Sequence, residues 1–516
     1  MSGSSRREFL RALAALGAAA AASGRVVAAP RFDRDPFRLG VASGYPSEGG
    51  AVLWTRLITD SERDDGGLDP VAVPVRWEVA SDEAMRKIVA SGIESAQPEW
   101  AHSVHVEVRG LEPERWYWYR FMAGDAVSAT GKLRIAPRRD APVERLRFAF
   151  ASCQQYEQGY FGAWRHVVRD APDLVVFLGD YIYESSWGSH HVRKHNPGEP
   201  YTLAQYRMRY ACYKSDPDLQ AAHAACAWLS VWDDHEVDND YADDRGGDGM
   251  AGERFLRRRA AAYRAYYEHM PLPARMRPHG PQMRIYTQFG WGALARFYLL
   301  DDRQYRAHQV CPRYSGGSNV VDVRECPALT EPGRSLLGPE QEAWLARAFG
   351  ASRSDWNILA QQTLMARFGT GRGRARRYWT DGWDGYPGAR RRLLGSVLSS
   401  KLRNPVVIGG DVHHHAVADL KLDFDDPAAP VVASEFCGTS ITSQARAQKY
   451  LDAARESNPH IKLAEGRYRG YVRVEVERGR LTADLRAMAG VTEREAACHT
   501  LARYIVEDGR PGPLRA

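Results

Sequence analysis

Four runs of β-forming residues in this chain each end in side chains that can bind a metal ion. They begin at residues 146, 174, 228 and 404 and read LRFAFASC, LVVFLGD, WLSVWDDHE and NPVVIGGDVHHH. Stretches with helical character, such as Tyr160–Arg169 and GPEQEAWLARAFG, lie between the runs. Strands that alternate with helices predict a layered α/β domain whose ligands gather at the carboxyl ends of the strands.

The ends of these runs supply the candidate metal ligands. A lone aspartate after a strand is more often a helix cap or a loop residue. Four such ends in one domain favour a metal site, because close carboxylates repel one another unless a cation neutralises them. We expect His414 and His415 to be surface or neighbouring residues rather than ligands. The candidates are Cys153, Asp180, Tyr181, Tyr183, Asp233, Asp234, His235, Asp411 and His413.

Cys153 raises a question of its own, because a cysteine after an apolar run can have any of three roles. It could be a small buried hydrophobe, half of a disulfide, or a thiolate ligand of a metal. The chain has seven cysteines, so at least one stays unpaired within it. Cys311 and Cys326 flank a loop-like stretch and are the best disulfide candidates, although spacing alone does not fix the connectivity.

Residues 36–136 predict a β-sandwich domain ahead of the α/β domain. Segments such as VPVRWEVA and HSVHVEVRG alternate apolar and polar positions, as half-buried antiparallel strands do. The tripeptide LEP at residues 111–113, followed by Tyr117 and Tyr119, resembles the tyrosine corner of fibronectin-like sandwiches. Nothing in this domain looks catalytic, so we expect it to pack against the site or to frame the substrate.

The C-terminal part predicts further sheet structure. YVRVEVERGRLTADLRAM, residues 471–488, is typical of a hairpin with a glycine-containing turn that completes the sheet. The later segment TLARYIVEDG could either cover the site as a lid or pack against the domain surface.

The first 29 residues predict a twin-arginine export signal. Arg6 and Arg7 precede an apolar run over residues 12–22, and a small-residue cleavage site comes before Pro30. The run is too short to span a bilayer as a stable helix, and it could instead form an amphipathic first helix. We expect the protein to be exported by the twin-arginine translocation machinery, to keep no stable membrane span, and to work in the periplasm or outside the cell.

The charge balance gives no sign of a nucleic-acid-binding protein. The 70 basic and 64 acidic residues give a net charge of +6, which is modest for 516 residues. The basic residues are dispersed apart from short runs such as Arg390–Arg392. A solvated surface accounts for them.

The order of these motifs resembles a known family. Cys153 is followed by GDYIY, then DDHE, then GGDVH, and the similarity also includes FRLGVASGYPSEGGAVLWTRL, LDDRQYR, SLLGPEQEAWL, WNILAQQTLM and WDGYP. This ordered set runs through most of the predicted mature chain. It is similar to the alkaline phosphatase D (PhoD-type) family of the metallophosphoesterase superfamily.

The resemblance implies a fold and a metal cluster. The fold is a four-layer α/β/β/α sandwich over residues 143–500, with a C-terminal segment to residue 516, preceded by the fibronectin-like β-sandwich. The cofactors are ferric iron and calcium, and Asp180 is the carboxylate that bridges the metals. Cys153, Tyr183 and His413 complete the iron shell, and Asp234 and Asp411 hold the calcium.

The ligand types agree with those metals. Thiolate, phenolate and imidazole suit a transition metal, whereas a position rich in carboxylates suits calcium. Members of the superfamily that hold two transition metals more usually have histidine where Asp411 stands and asparagine where Asp234 stands. None of the histidines His190, His191, His195 and His223 follows a motif that would make it a further ligand.

The implied reaction is the hydrolysis of phosphate esters by a metal-activated hydroxide. His235 could protonate the leaving oxygen or orient the phosphate, or it could simply cap or pack. Arg303 could clamp phosphate with two hydrogen bonds, or it could equally form a structural ion pair. Trp383 and Tyr386 could line the pocket mouth or pack in the core.

Several functions fit this pattern, and the leading hypothesis is an exported alkaline phosphatase acting on phosphate monoesters, diesters or both. A phospholipase D-like or teichoic-acid-cleaving diesterase would use the same metals, because the motifs describe the phosphoryl centre and not the group attached to it. A non-catalytic surface binding protein with a structural metal would also fit the motifs, and so would a Cys/His zinc hydrolase.

Overall fold

The structure of the chain is a computed structural model that describes residues 31–313 and 316–516. The predicted export signal, residues 1–29, lies outside the described residues. Within the described part of the chain, no helix combines the length and the apolar character that crossing a membrane requires.

Within these residues the chain forms 24 strands and seven α-helices. The strands are β1 (Val41–Ser47), β2 (Gly50–Arg56), β3 (Val73–Ala80), β4 (Ile88–Ala96), β5 (Ser103–Arg109), β6 (Trp116–Ala123), β7 (Ala126–Val127), β8 (Gly131–Arg134), β9 (Arg145–Ala151), β10 (Leu174–Leu178), β11 (Ala227–Val231), β12 (Thr287–Trp291), β13 (Ala295–Leu299), β14 (Val320–Val321), β15 (Trp356–Ala360), β16 (Tyr378–Trp379), β17 (Pro405–Gly409), β18 (His415–Lys421), β19 (Val431–Cys437), β20 (Ile461–Glu465), β21 (Gly470–Glu477), β22 (Arg480–Met488), β23 (Cys498–Glu507) and β24 (Arg510–Arg515). The helices are α1 (Ala163–Asp170), α2 (Leu203–Lys214), α3 (Pro217–Ala225), α4 (Gly252–His269), α5 (Pro339–Ala351), α6 (Pro387–Ser399) and α7 (Gln448–Ser457).

Two large sheets form the centre of the molecule. The larger sheet has ten strands in the order β24-β23-β22-β21-β9-β10-β11-β1-β2-β5, and the smaller has seven in the order β12-β13-β15-β17-β19-β18-β20. Strands β9, β10 and β11 run parallel in the larger sheet, as do β13, β15, β17 and β19 in the smaller one. Parallel strands need long crossover connections, which accounts for the helices between the runs.

The two sheets pack face to face, and helices cover their outer faces. Phe148 of β9 meets Phe297 of β13 with ring centroids 5.2 Å apart. Along β15, Ile358 joins the core between the sheets, while its neighbour Leu359 joins the core that α5 and α6 cover. A strand that is buried on both faces alternates in this way. The fold is therefore the four-layer α/β/β/α sandwich that the resemblance implied.

The N-terminal β-sandwich forms, but it is continuous with the larger sheet. Strand β1 pairs in parallel with β11, with Ser43 opposite Ala227, which joins β1, β2 and β5 to the ten-stranded sheet. The sheet β4-β3-β6-β7, with β8 on β6, packs against these three strands. Gly44 permits the close approach of β1 to β11, because a Cβ atom there would lie 2.9 Å from the carbonyl oxygen of Trp228 in β11. The pairing of β1 with β11 is long-range, so local alternation in the sequence does not reveal it.

The C-terminal hairpin forms as predicted. Strands β21 and β22 pair antiparallel, and β21 also pairs with β9 in the middle of the larger sheet. Strands β23 and β24 continue the sheet to its edge. The segment TLARYIVEDG therefore lies mostly in β23 and is a strand of the sheet rather than a lid.

The tyrosine corner gives a test of the sandwich. The Tyr117 hydroxyl oxygen accepts a hydrogen bond from the backbone N–H of Glu112 at 3.0 Å, and the ring is buried. Because Tyr117→Phe removes only this oxygen, we expect the free energy of unfolding to fall by about 1 kcal/mol in urea denaturation. Tyr201→Phe is the control, since that ring is 40% exposed. Equal losses in the two variants would contradict the role of the corner.

Candidate metal centre

The candidate ligands lie where strands of both central sheets end. Cys153 comes shortly after β9, Asp180 after β10 and Asp234 after β11 of the larger sheet, and Asp411 follows β17 of the smaller sheet. Parallel strands bring their carboxyl ends to one edge of a sheet. Because the two sheets face each other, side chains from four strand ends meet between them.

One group of these side chains combines sulfur, oxygen and nitrogen donors. Ligand atoms of Cys153, Asp180 and His413 all lie within 4.8 Å of one another. The Tyr183 hydroxyl donates to Asp180 Oδ2 at 2.8 Å and lies 3.3 Å from His413 Nε2. His413 Nδ1 lies 2.8 Å from the carbonyl oxygen of Gln444, so an Nδ1–H donates there and Nε2 keeps its lone pair. The four residues that the resemblance assigns to iron are thus together.

Two further groups of candidate ligands consist mainly of carboxylates. Asp180, Asp234 and His235 lie within the same 4.8 Å limit, and so do Asp233, Asp234 and Asp411. Asp180 belongs to the first group and to one of these two, as a bridging carboxylate would. Asp233, which the sequence named without a role, contributes a further carboxylate.

Several carboxylate oxygens in this region are buried without a hydrogen-bond partner among the described residues. A buried polar atom without a partner costs free energy, and a buried carboxylate costs more. Oxygen atoms of this kind are what a hard cation binds. The donor set therefore fits a bound cation. The atoms are Asp180 Oδ1, Asp233 Oδ2, Asp302 Oδ1, Asp411 Oδ2 and Asp234 Oδ1, of which the last forms an ion pair with Arg303 at 3.3 Å without a hydrogen bond.

The electrostatics of the protein alone disfavour the ionised forms of three of the ligands, Asp180, Cys153 and Tyr183. For Asp234, by contrast, Arg303 and His235 outweigh the effect of burial and lower the pKa to about 2. Burial, together with the charges of Asp234 and Asp233, raises the pKa of Asp180 well above its usual range. Burial and Asp180 likewise raise the pKa of the Cys153 thiol and of the Tyr183 phenol. Burial lowers the pKa of His413 to about 3, which leaves the neutral imidazole that binds metals. A cation would favour the deprotonated form of each acidic ligand.

Four of the ligand residues adopt left-handed backbone conformations. The φ angles are 60° at Cys153, 57° at Asp180, 63° at Asp411 and 58° at His413. Such conformations cost about 1–3 kcal/mol each for residues other than glycine, and they concentrate at functional sites. The turns after the strands are thus shaped to place these side chains.

Arg303 holds carboxylates of the site together. Its guanidinium is buried and forms ion pairs with Asp233 at 2.5 Å, Asp381 at 2.7 Å and Asp234 at 3.3 Å. The structure thus shows that Arg303 forms ion pairs, and its contact with phosphate stays a prediction. Its positive charge offsets only part of the surrounding negative charge.

His235 is held by an acidic partner that the sequence did not single out. Its Nδ1 lies 2.6 Å from Glu184 Oε2, and its ring centroid lies 4.1 Å from that of Tyr183. Burial alone would lower the pKa of His235, but Glu184 and Asp180 raise it well above the ordinary value. Glu184 follows Tyr183 directly in GDYIYE, so its place next to a ligand in the sequence could have identified it as a residue of the site.

Two further residues that the sequence did not identify tie the ligand segments together. Ser443 Oγ lies 2.7 Å from the Tyr183 hydroxyl oxygen and 2.9 Å from the Cys153 carbonyl oxygen. The Arg469 guanidinium donates to the carbonyl oxygen of His413 at 3.0 Å and to that of Ser443. Ser443 follows β19, another strand end at this edge, and Arg469 lies between β20 and β21.

A cavity of about 690 Å³ opens beside the ligands. Part of its lining comes from Asp180, Asp234, His235, Asp411 and His413. The remaining wall includes five aromatic side chains, which are Trp187, Phe368, Trp379, Trp383 and Tyr450. Tyr386 is buried, and its hydroxyl donates to the Ala307 carbonyl, so of the two aromatics in WDGYP only Trp383 lines the cavity.

The cysteines are paired as the sequence favoured. Cys311 and Cys326 form a disulfide. Cys153, Cys212, Cys226, Cys437 and Cys498 are free thiols. Cys153 is therefore not half of a disulfide, and His414 and His415 are buried neighbours of the site rather than surface residues.

This chain is similar over most of its length to known phosphatases. Residues 148–485 match the family described as PhoD-like phosphatase, and residues 19–137 match its N-terminal domain. Alkaline phosphatase D of Bacillus subtilis (strain 168) is 46% identical over 495 residues, which cover 94% of this chain and 83% of that protein. A solved structure described as "Structure of PhoD" has a TM-score of 0.89 and 45% identity, covering 95% of this chain and 93% of that one.

The buried negative charge of the site predicts that Asp411→Asn changes the stability of the fold differently with and without metal. Asp411→Asn removes a carboxylate whose pKa burial and Asp233 raise well above the usual range. Such a group destabilises the fold at any pH above its unfolded pKa, and more so as the pH rises toward the folded pKa. At pH 8 in chelator, we expect the variant to be more stable than the wild type by about 1 kcal/mol or more. Added metal should then stabilise the wild type more than the variant.

Thermal melts with and without metal measure both effects. Asp384→Asn is the matched control, because Asp384 lines the same cavity but pairs with Arg390 at 2.8 Å. It should lower the melting temperature under both conditions. A chelated Asp411→Asn protein that melts below the wild type would contradict the charge repulsion.

Proposed function

Because this chain belongs to the PhoD-like phosphatase family and hydrolyses phosphate esters, we propose that its reaction centre is the set of ligands at the four strand ends, loaded with ferric iron and calcium. Membership in this family suggests dependence on metals. The observation that carries the proposal is Asp180, which is shared between two groups of ligands and has a buried Oδ1 without a partner among the described residues.

The donor chemistry divides the site between two kinds of metal. Cys153, Tyr183 and His413 offer thiolate, phenolate and imidazole, which together with Asp180 suit ferric iron. Asp234 and Asp411 offer carboxylates for calcium, with Asp180 shared. When bound, these ions would activate water and neutralise charge on the phosphoryl oxygens.

His235 is the residue that would supply a proton. Its Nδ1–H donates to Glu184, which leaves Nε2 for the cavity that the ring lines. The Glu184 carboxylate favours the imidazolium form, which is the acid that can protonate a leaving oxygen. Arg303 would act by fixing Asp233 and Asp234 rather than by touching phosphate.

The cavity favours diesters as well as monoesters. Its volume of about 690 Å³ leaves room beyond a phosphoryl group for a substituent. A phosphodiesterase of the phospholipase D-like or teichoic-acid-cleaving kind is therefore the second candidate. Comparing turnover of 4-nitrophenyl phosphate and bis(4-nitrophenyl) phosphate separates the two, and cleavage of the diester alone would overturn the monoesterase assignment.

We also propose that the protein works in the periplasm or outside the cell, after export by the twin-arginine translocation machinery. The paired arginines and apolar run within residues 1–29 support this location. The disulfide between Cys311 and Cys326 is consistent with an oxidising compartment.

Cys153→Ser tests the iron site directly. We expect the variant to fold, to lose its iron and most of its activity, and to lose the visible charge-transfer absorption that a Tyr183 phenolate bound to ferric iron would give. Metal analysis and an absorption spectrum measure the first two effects, and hydrolysis of 4-nitrophenyl phosphate measures the third. Cys437→Ser is the control, because Cys437 is equally buried but donates to the Gly410 carbonyl. A Cys153→Ser protein that keeps both iron and activity would make Cys153 a structural residue, and stoichiometric zinc would favour the zinc hydrolase.

Glu184→Gln tests the role of His235. Activity that requires the imidazolium is present below the pKa of His235 and is lost as the pH rises through it. Removing the Glu184 charge lowers that pKa, so the alkaline limb of the kcat/KM profile should move to lower pH. Glu157→Gln, which removes a buried carboxylate beside His195 instead, should leave this limb in place. An unmoved limb in Glu184→Gln would exclude His235 as the acid.

A further inference from the structure

Part of the cavity wall lies beyond the ligands and has no role in the proposed reaction. This part contains Phe368, Trp379 and Tyr450, together with Thr363, His414 and Arg446. A phosphoryl group held at the strand ends would project its ester alcohol into the remaining space. The wall is therefore in a position to contact the leaving group.

Two buried polar atoms of this wall have no hydrogen-bond partner among the described residues. They are His414 Nε2 and Thr363 Oγ1, on side chains that are each 3% exposed. His414 Nδ1 lies 2.8 Å from the Val412 carbonyl oxygen, so its N–H donates there and Nε2 remains an acceptor. Buried polar atoms in native proteins have partners as a rule. These two atoms point to a ligand that brings its own hydrogen-bonding groups.

Arg446 adds a positive charge to the same wall. Its guanidinium carbon lies 5.1 Å from the ring centroid of Tyr450 and 5.9 Å from that of Trp379. Within the described residues it forms no ion pair with a carboxylate. The other arginine of the lining, Arg377, pairs with Glu325 at 3.1 Å. The exposed Arg446 side chain thus lies within cation–π distance of both rings, which leaves its donors for a ligand.

We propose that this wall is a subsite for the ester alcohol, and that Arg446 makes the enzyme prefer alcohols that carry a second negative charge. The inference rests on the proposed function, because it assumes that the phosphoryl group lies at the strand ends. The carboxylates at the ligand end of the cavity would repel an anionic leaving group. The positive charge of Arg446 would attract it at this wall. A carboxylate and a phosphonate would both satisfy a guanidinium.

Matched aryl phosphates test the subsite. Phenyl phosphate has a neutral leaving group, whereas 4-carboxyphenyl phosphate and 4-phosphonophenyl phosphate carry an additional charge on a phenol of similar acidity. The readout is the ratio of kcat/KM for each charged ester to that for phenyl phosphate. In Arg446→Gln we expect this ratio to fall by about two- to fivefold, the effect of losing one exposed ion pair. Comparing the two charged esters shows which anion is preferred.

The controls separate this subsite from the reaction centre. Arg446→Lys should restore part of the ratio, and Arg377→Gln should leave it unchanged. A ratio that stays constant in Arg446→Gln, or equal losses for charged and neutral esters, would overturn the subsite. If the wild type hydrolyses none of the esters, the proposed function fails instead. Calorimetric binding of 4-hydroxybenzoate and of phenol then decides the subsite, and equal affinities in the wild type and Arg446→Gln would overturn it.

Discussion

The main constraint on this structure is buried negative charge where the parallel strands of two mixed sheets end. Carboxylates from both sheets converge there, and Arg303 is the buried cation that pairs with three of them. Desolvation makes such a cluster unfavourable unless a cation completes it. The left-handed turns at Cys153 and Asp180 add further local cost. The surrounding core supplies the stability that keeps this arrangement folded, and it can do so because the strands are buried on both faces.

The shape of the site follows from how the sheets are built. Parallel strands place their carboxyl ends at one edge, and facing two such sheets doubles the number of turns that reach one point. Cys153 comes from one sheet and His413 from a segment after β17 of the other. A site assembled in this way depends on the relative position of the sheets. Arg469 and Ser443, which contact segments carrying His413, Cys153 and Tyr183, help to fix that position.

The sequence predicts those parts of this structure that are local. The runs that end in ligands are short and strongly apolar, so their strands and the grouping of Cys153, Asp180 and Asp411 could be anticipated. The joining of β1 to β11 could not, because it pairs residues about 180 positions apart. The contacts of Arg469 could not be predicted either. Its guanidinium donates to backbone carbonyls, which every residue has, so no acidic residue in the sequence indicates its partners. Arg303 is an intermediate case, because the sequence left an ion pair and a phosphate contact open and the structure supplies the ion pairs.

The thiols connect the site to the proposed route of export. Cys153 lies at the ligand cluster as a free, buried thiol, while Cys311 and Cys326 form a disulfide. A thiol that reached an oxidising compartment in an unfolded chain would be open to the wrong pairing. Twin-arginine export, which the paired arginines predict, would carry the chain already folded, with Cys153 enclosed and bound by metal. On the proposed route the metal would protect the thiol and the thiol would retain the metal, so that folding and metal loading would both precede export.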